Sequence, residues 1–187
     1  MGQPKLSLPW GDTTVLGQVV ATCVAAGLED ILVVTGGARQ QVEELVTLLS
    51  KRYPVRGIHN PGYAKGGMTS SIQIGLAALG AEVQAALIGL GDQPQVREDT
   101  IGRIVSVFIE TGSPLIFPSF QGRRGHPWLV ARLLWSDIQA IPITTSPRQF
   151  FKTYTGQIAY VTADESILQD LDTPGEYFRQ RPRLLDG

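Results

Sequence analysis

The chain has 187 residues, of which 43% are hydrophobic and 18% charged, and 16 basic against 17 acidic side chains leave a formal net charge of −1. This length predicts a single domain over residues 1–187, and the near-zero charge gives no reason to expect binding to nucleic acid or acidic membranes. One cysteine excludes an intramolecular disulfide and a cysteine-based zinc cluster, and the lack of an apolar run of ~18 residues predicts a soluble, cytoplasmic protein.

Short β-branched runs alternate with segments of helical periodicity along the chain. In chain order, the predicted strands are residues 31–35, 55–58, 85–90, 114–117 and 157–161. The predicted helices are residues 14–26, 38–49, 69–79, 98–110, 128–141, 147–154 and 174–180. Strands separated by helices indicate βαβ units, and the near-continuous apolar runs at 31–35 and 85–90 are typical of strands covered on both faces. We therefore expect an α/β fold with a doubly wound, mostly parallel sheet.

A glycine-rich loop follows the strand at 55–58 and ends in three consecutive hydroxyl side chains, Thr69, Ser70 and Ser71. In an open parallel sheet, ligands collect at the carboxyl ends of the strands, which is where this loop lies. Capping of a helix needs only one of the three hydroxyls. The segment is therefore either a helix start or a turn that faces a ligand, and the residues alone leave both open.

Asp92 follows the strand at 85–90, in the sequence Gly-Asp-Gln-Pro. A carboxylate at the end of a buried strand must be paired or bound to a cation, and Mg²⁺ typically takes one or two protein carboxylates together with substrate phosphates. Capping of the next turn is the alternative for Asp92. Later in the chain, alternation places Asp170 and Asp172 on one side of an extended segment, where Asp172 is either a helix N-cap or part of a shared metal site.

A basic loop follows the strand at 114–117 and runs from Arg123 through Arg124, Gly125 and His126 to Pro127. Paired arginines among glycines suit an anionic ligand such as a phosphate. A lone loop histidine is more often structural than catalytic. Here His126 is held between a glycine and a proline, which restricts its backbone.

Taken together, these segments resemble the MobA-like nucleotidyltransferases, nearest to the molybdenum cofactor cytidylyltransferases. The resemblance rests on five segments in register, which are residues 1–6, 60–79, 91–94, 122–127 and 170–174. It covers essentially all of the chain and implies a Rossmann-like fold of the nucleotide-diphospho-sugar transferase type. The guanylyltransferase branch is less similar, because it usually has Cys-Asp-x-Pro at the position of Gly91–Pro94 and lacks the Arg-Gly-His-Pro element.

The reaction that the resemblance implies is Mg²⁺-dependent transfer of a cytidylyl group from CTP to molybdopterin cofactor, with release of pyrophosphate. By resemblance, Lys5 contacts the triphosphate and stabilises the leaving pyrophosphate, so that Lys5 and Asp92 are the expected catalytic residues. Asp92 and Asp172 are the expected metal ligands, with Asp170 a weaker candidate. Gly66 and Ser71 match positions that lie against the cytosine ring.

The acceptor side is implied to be the basic loop, with Arg124, Gly125, His126 and Pro127 facing the molybdopterin phosphate. A molybdenum hydroxylase is a candidate acceptor protein for the finished cofactor, and no nucleic-acid or membrane partner is expected. Two other functions remain open. One is a non-catalytic protein that binds molybdenum cofactor and delivers it, and the other is a nucleotidyltransferase with another nucleotide or acceptor, such as a sugar phosphate.

The opening motif of the family is incomplete in this sequence. In the family, a central strand and a glycine-rich phosphate loop precede the segment that matches residues 1–6. We therefore expect a sheet that lacks its first strand. An upstream start, encoding that strand and an Ala-Ala-Gly-containing loop, is the preferred explanation, and a shortened, inactive chain is the alternative.

Overall fold

Strands and helices alternate along most of the chain, for which the computed structural model describes residues 4–182; Met1, Gly2 and Gln3 of the expected opening motif lie outside them. The strands in this range are β1 (Pro9–Trp10), β2 (Thr13–Thr14), β3 (Ile31–Thr35), β4 (Val55–His59), β5 (Ala85–Ile88), β6 (Leu115–Phe120), β7 (Arg123–Arg124), β8 (Trp128–Ala131) and β9 (Ile158–Thr162). The helices are α1 (Val15–Ala25), α2 (Arg39–Leu49), α3 (Tyr63–Ala77), α4 (Glu98–Thr111), α5 (Trp135–Gln139), α6 (Pro147–Thr153) and α7 (Pro174–Gln180). The expected α/β class is confirmed.

Apart from the short β1–β2 ribbon, the strands form a parallel pair and a larger mixed sheet. β3 and β4 pair in parallel over five residues, from Ile31 opposite Val55 to Thr35 opposite His59. In the larger sheet, β8 lies between β5 and β6 and is antiparallel to both, while β9 is parallel to β6. Consequently β5, β6 and β9 run in one direction, and β8 with the short β7 is reversed. The predominantly parallel architecture is confirmed, with the reversed strand β8 inserted between β5 and β6 and the short reversed strand β7 beside β6.

The segment 128–141 was predicted as an amphipathic helix, and this prediction is wrong. Its first four residues form β8, every residue of which is buried, and only Trp135–Gln139 is α-helical. Trp128 and Val130 pack into the core on one face of the sheet, whereas Leu129 packs into the core on the other. A short apolar run buried on both faces has no polar side to reveal its period, so its pattern does not distinguish strand from helix.

The expected full burial of β3 and β5 is only partly correct. In the described part of the chain, β3 pairs only with β4 and β5 only with β8. Residues 31–34 are half-buried, and in β5 only Ala86 is fully buried. A strand is covered completely when it has a partner on both edges and helices on both faces, and neither strand meets that condition.

Helices cover both faces of the larger sheet. On one face, Ile72 and Leu76 of α3 pack with Leu115 and Phe117 of β6, together with residues of α5 and α6. On the opposite face, α4 packs against β6, β8 and β9. Alternation along β6 supplies both cores, as expected for a strand in the middle of a doubly wound fold. Within residues 4–182, no helix combines the length and the apolar character needed to cross a membrane.

Apart from the segment 128–141, the helix boundaries agree with the sequence prediction to within one or two residues, except at the start of α3. It begins at Tyr63 rather than at 69, and it is interrupted at Gly67, whose φ of 50° and ψ of −137° are not helical. A positive φ of this kind favours glycine, which has no Cβ to clash with the backbone. The glycine-rich loop and the hydroxyl-rich helix start are therefore one kinked helical segment.

Candidate active site

Three predicted site residues meet in what we call the charged cluster, which consists of Lys5, Asp92 and Asp172. The Lys5 Nζ donates hydrogen bonds to Asp92 Oδ2 at 2.8 Å and to Asp172 Oδ1 at 2.9 Å. Lys5 lies in a 3₁₀ turn near the start of the chain, Asp92 follows β5, and Asp172 directly precedes the N-cap of α7. The fold thus brings together residues from both ends and the middle of the chain.

Local packing positions each member of the cluster. Gly91 lets the 3₁₀ turn approach Asp92 closely, because a Cβ at Gly91 would lie 3.3 Å from a methyl carbon of Leu6. On the other side, Leu171 is fully buried and anchors the backbone next to Asp172. The two charged chain segments are therefore held by apolar neighbours rather than by the ion pairs alone.

The electrostatics of the cluster keep Lys5 charged. Burial opposes the charge on Lys5, but the hydrogen bonds to Asp92 and Asp172 and their negative charges outweigh it and raise the pKa of Lys5 above its ordinary value. The side chain of Asp92 is 22% exposed and that of Asp172 is 68% exposed. One positive and two negative charges leave the cluster with an excess negative charge that is open to solvent.

The donor set of the cluster fits a hard divalent cation. Asp92 and Asp172 offer carboxylate oxygens that already converge on one cation, the Lys5 ammonium group. Among residues 4–182, no group of three or more His, Cys, Asp or Glu side chains is arranged to hold a metal ion. A cation at Asp92 and Asp172 would therefore need further ligands from a substrate or from water, which is the usual arrangement for Mg²⁺ at phosphate-transfer sites.

Asp170 lies beside the cluster but bonds to a different residue. Its Oδ1 accepts a hydrogen bond of 2.7 Å from Nε2 of Gln93, whose side chain is buried. The Gln93 Oε1 is also buried, and it has no hydrogen-bond partner among the described residues. Asp170 is thus the anchor of a buried amide, in contrast to the exposed Asp172.

The basic loop forms the arginine hairpin, which comprises β6, β7 and residues 125–127. Gln121 and Gly122 join β6 to β7 with positive φ angles of 49° and 77°, the pattern of the tight turn that matches the twist of antiparallel strands. Arg124 is exposed, and its guanidinium carbon lies 5.3 Å from the ring centre of Phe117 and 5.2 Å from that of Tyr160. The hairpin therefore presents a cation that is held in place by two aromatic rings.

Backbone hydrogen bonds fix residues 125–127 of the hairpin. The Gly125 N–H donates to the carbonyl oxygen of Pro118, and the His126 N–H donates to that of Ile167, both at 3.1 Å. A Cβ at Gly125 would lie 2.2 Å from the Ile167 carbonyl oxygen, so only glycine fits there. Pro127 is buried and leads into β8. The backbone around His126 is thus held rigidly.

His126 connects the hairpin to the charged cluster. Burial lowers the pKa of His126 below its ordinary value, and the negative charges of Asp170 and Asp92 oppose this effect. These charges act on His126 because the hairpin and the carboxylates lie on the same edge of the fold. At neutral pH the imidazole is therefore uncharged and offers one donor and one acceptor.

The remaining predicted residues, Gly66 and Ser71, lie in what we call the Asn60 turn, residues 60–71. Gly66 is buried against Ser70, and Ser71 is half-buried. Lys65 and Ser70 of this turn line an open groove of about 390 Å³. In the described part of the chain, no hydrogen bond or ion pair joins the Asn60 turn to the charged cluster, so the predicted site falls into separate regions.

Asn60 and Gln93 contribute to these regions and were not predicted as site residues. Both side chains are buried, at 0% and 3% exposure. Each of these amides follows a strand and directly precedes a proline, in Asn60-Pro61 and in Gln93-Pro94. A buried amide must find hydrogen-bond partners, so an amide at the end of an apolar strand is the signal that could have identified them.

The chain is similar in sequence to known proteins along its whole length. Residues 1–159 match the MobA-like NTP transferase domain. The chain is 28% identical over 186 residues to the molybdenum cofactor cytidylyltransferase of Escherichia coli K12, covering 100% of this chain and 91% of that protein. It is 26% identical over 188 residues to the nicotine blue oxidoreductase of Paenarthrobacter nicotinovorans, covering 94% and 87% of the two chains.

The fold also has close counterparts among solved structures. It is similar to a Mycobacterium tuberculosis H37Rv protein whose crystal structure is a complex with manganese. The TM-score is 0.74 at 25% sequence identity, and the match covers 95% of this chain and 91% of the other. The likeness therefore extends over nearly the whole chain.

Proposed function

The chain belongs to the MobA-like NTP transferase family, and we propose that it transfers a cytidylyl group from CTP to the molybdenum cofactor and releases pyrophosphate. Membership of this family makes the protein a nucleotidyltransferase. The observation that carries the finer proposal is the charged cluster, in which two carboxylates converge on one cation beside an arginine-bearing hairpin. The similarity to a molybdenum cofactor cytidylyltransferase along the whole chain supports the choice of nucleotide and acceptor.

The proposed reaction needs no nucleophile from the protein. A terminal phosphate oxygen of molybdopterin attacks the α-phosphorus of CTP and forms the new P–O bond. The bond from the α-phosphorus to the oxygen that bridges to the β-phosphate breaks, and its electron pair leaves with pyrophosphate. Catalysis of phosphate transfer depends mainly on positioning and on neutralising charge, and those are the tasks that a cluster of Lys5, Asp92 and Asp172 can perform.

Asp92 and Asp172 would hold Mg²⁺ through their carboxylate oxygens. When bound, Mg²⁺ neutralises the charge of the triphosphate and of the leaving pyrophosphate. In the structure, the Lys5 Nζ donates hydrogen bonds to both carboxylates. A cation bound to the same carboxylate oxygens would free the Lys5 Nζ to donate to a phosphate. Lys5 would thereby pass from the carboxylates to the nucleotide as both ligands bind.

The arginine hairpin would receive the acceptor. Arg124 offers a cation for the molybdopterin phosphate, and its stacking on two rings limits the freedom that binding must remove. His126 is uncharged at neutral pH and would donate or accept one hydrogen bond there. Gly125 and Pro127 keep this surface in place, and Gly66 and Ser71 of the Asn60 turn would contact the cytosine ring.

We further propose a single catalytic domain over residues 1–187, because the charged cluster draws on residues near both ends of the chain. Its product, the cytosine dinucleotide form of the cofactor, would be passed in the cytoplasm to a molybdenum hydroxylase.

Pyrophosphate release tests this function directly. The purified chain is incubated with Mg²⁺, molybdenum cofactor and each of CTP, GTP, ATP and UTP in turn, with Asp92→Asn as the inactive control. Release that depends on both CTP and the cofactor is expected. Release with another nucleotide would favour a different nucleotidyltransferase, and cofactor binding without any release would favour a delivery protein.

A further inference from the structure

Asn60 is the only asparagine of the chain, and its side chain is completely buried. A buried amide is costly unless its polar atoms are hydrogen-bonded, and here all of them are. The Asn60 Nδ2 donates to Ser70 Oγ at 2.8 Å and to Ser71 Oγ at 3.0 Å, and Oδ1 accepts from the Gly62 N–H at 2.9 Å. The Asn60 N–H donates to the Thr35 carbonyl oxygen at 2.8 Å, which ties this network to the end of β3.

The two serines extend the network to the kink of α3. Ser70 Oγ and Ser71 Oγ lie 3.1 Å and 3.2 Å from the carbonyl oxygen of Gly67 and donate to it. A serine hydroxyl has one hydrogen to donate. Because each serine uses it on the carbonyl of Gly67, each can only accept a hydrogen bond from the side chain of residue 60. Only a side chain with two N–H donors at the right distance satisfies both serines at once. Asparagine meets this requirement, and aspartate does not.

The network determines the shape of the Asn60 turn. Gly67 adopts a positive φ, and Gly66 next to it lies so close to Ser70 that a Cβ at Gly66 would be 2.5 Å from the Ser70 Cβ. The hydroxyl of Ser71 and the backbone of Gly66 therefore keep one relative position as long as Asn60 holds both serines. Closed buried networks of this kind favour a single conformation.

Resting on the proposed function, in which Gly66 and Ser71 face the cytosine ring, we propose that Asn60 is a positioning residue for the nucleotide. Asn60 has no exposed surface, so it acts through the serines and does not touch the ligand. Its role is to organise the turn before CTP binds, which lowers the ordering cost of binding. The charged cluster and the arginine hairpin do not share hydrogen bonds with it among the described residues, so acceptor binding is independent of it.

The test compares Asn60→Asp with two other variants. Ser70→Ala removes one hydroxyl of the network without placing a charge in the interior, and it decides the question if Asn60→Asp does not fold. Thr100→Ala removes another fully buried polar side chain, in α4 on the opposite face of the sheet, and controls for lost stability. For each protein, calorimetry gives the dissociation constants of CTP with Mg²⁺ and of molybdenum cofactor, and hydrogen exchange reports on residues 62–71.

We expect Asn60→Asp to weaken CTP binding by about tenfold, with faster exchange in residues 62–71 and unchanged affinity for molybdenum cofactor. Ser70→Ala should show the same pattern with a smaller loss, and Thr100→Ala should lower stability alone. CTP affinity equal to wild type in the folded Asn60→Asp and Ser70→Ala variants would overturn the inference, as would equal losses for both ligands. The wild-type titration is performed first, because a chain that binds no CTP contradicts the proposed function itself.

Discussion

The charged cluster and the arginine hairpin lie on the same edge of the fold but are built in opposite ways. The cluster joins Lys5, Asp92 and Asp172 from three distant parts of the chain through two ion pairs, of which the pair with Asp92 is partly buried and the pair with Asp172 is exposed. The hairpin is a continuous segment held by backbone hydrogen bonds, a tight turn and a glycine with no room for a side chain. The cluster carries an excess of negative charge, whereas the hairpin presents the cation of Arg124.

This contrast indicates a division of labour between the two regions. Exposed ion pairs are worth little in stability and exchange partners readily, so the cluster can be rearranged by a metal ion and a triphosphate. The hairpin is already in one conformation, so it suits a ligand that must be held while the reaction occurs. In the proposed reaction, the cluster would act on the nucleotide and the hairpin on the acceptor.

The largest effect is expected for Asp92→Ala, which removes the less exposed carboxylate of the cluster. Transfer should fall by about a thousandfold, because neither the metal ion nor Lys5 would keep its position, while the fold remains intact. Pyrophosphate release measures the loss, circular dichroism checks the fold, and Asp12→Ala, at an exposed aspartate outside the site, is the control. Mg²⁺-dependent turnover close to wild type in Asp92→Ala would exclude Asp92 from the site.

A smaller and more selective effect is expected for Arg124→Ala. Loss of one charged contact should weaken binding of molybdopterin cofactor by about tenfold and leave CTP binding unchanged. The matched control is Arg123→Ala, because neighbouring residues of a strand point to opposite faces and only Arg124 lies over Phe117 and Tyr160 in the described structure. His126→Ala should resemble Arg124→Ala. Equal losses for CTP and for the acceptor would contradict the division of labour.

The charge excess of the cluster can be tested with Lys5→Met. In this variant, Asp92 and Asp172 keep their negative charges, and no ammonium group competes with a metal ion for their oxygens. Without nucleotide, Mn²⁺ should therefore bind Lys5→Met about fivefold more tightly than it binds the wild-type protein. Transfer should nevertheless fall, because Lys5 no longer reaches the triphosphate. Electron paramagnetic resonance of free Mn²⁺ measures the affinity. Unchanged or weaker Mn²⁺ binding in Lys5→Met would show that Lys5 and the cation do not share these oxygens.

The smallest effect concerns pH and His126. Burial lowers the pKa of His126 in the folded protein, so the unfolded chain binds the proton first as the pH falls. Because the unfolded chain binds this proton more tightly, the free energy of unfolding falls as the pH drops from about 6.5, the ordinary pKa of histidine, through the lower pKa of His126 in the folded protein. His126→Gln should lack this acid-side loss, and His59→Gln should retain it. Urea unfolding between pH 7.5 and pH 5.5 tests this, and identical pH trends in wild type and His126→Gln would refute it.

The two regions differ in how far the sequence could predict them. The turn and the basic part of the hairpin lie within residues 121–127, so its glycines and arginines could be read directly from the sequence. The strand β8 behind it was missed because it is buried on both faces. A shared metal site at Asp92 and Asp172 was one of the alternatives that the residues left open, and the resemblance added Lys5 as a contact of the triphosphate. The direct bonds from Lys5 to both carboxylates depend on how three remote segments pack, which no local pattern encodes.

The hydrogen-bond partners of buried amides were the least predictable feature of the site. Asn60 and Gln93 each follow a strand, and composition shows that they need partners but does not show which ones. The serines that bond to Asn60 could be seen as a hydroxyl-rich segment, yet the kink at Gly67 that turns them towards Asn60 could not be derived from helical periodicity. Side-chain networks across a loop therefore required the structure.

In the proposed reaction, the charged cluster directs the transfer of the cytidylyl group, which includes the α-phosphate of CTP, to the cofactor, and a labelling experiment follows that group. The protein is incubated with Mg²⁺, molybdenum cofactor and CTP carrying radioactive phosphorus at either the α- or the γ-position, with Asp92→Ala in parallel. We expect the α-label to appear in a dinucleotide form of the cofactor and the γ-label in pyrophosphate, and we expect Asp92→Ala to produce neither. An α-label that stays in free nucleotide, or a γ-label that reaches the cofactor, would contradict the proposed reaction.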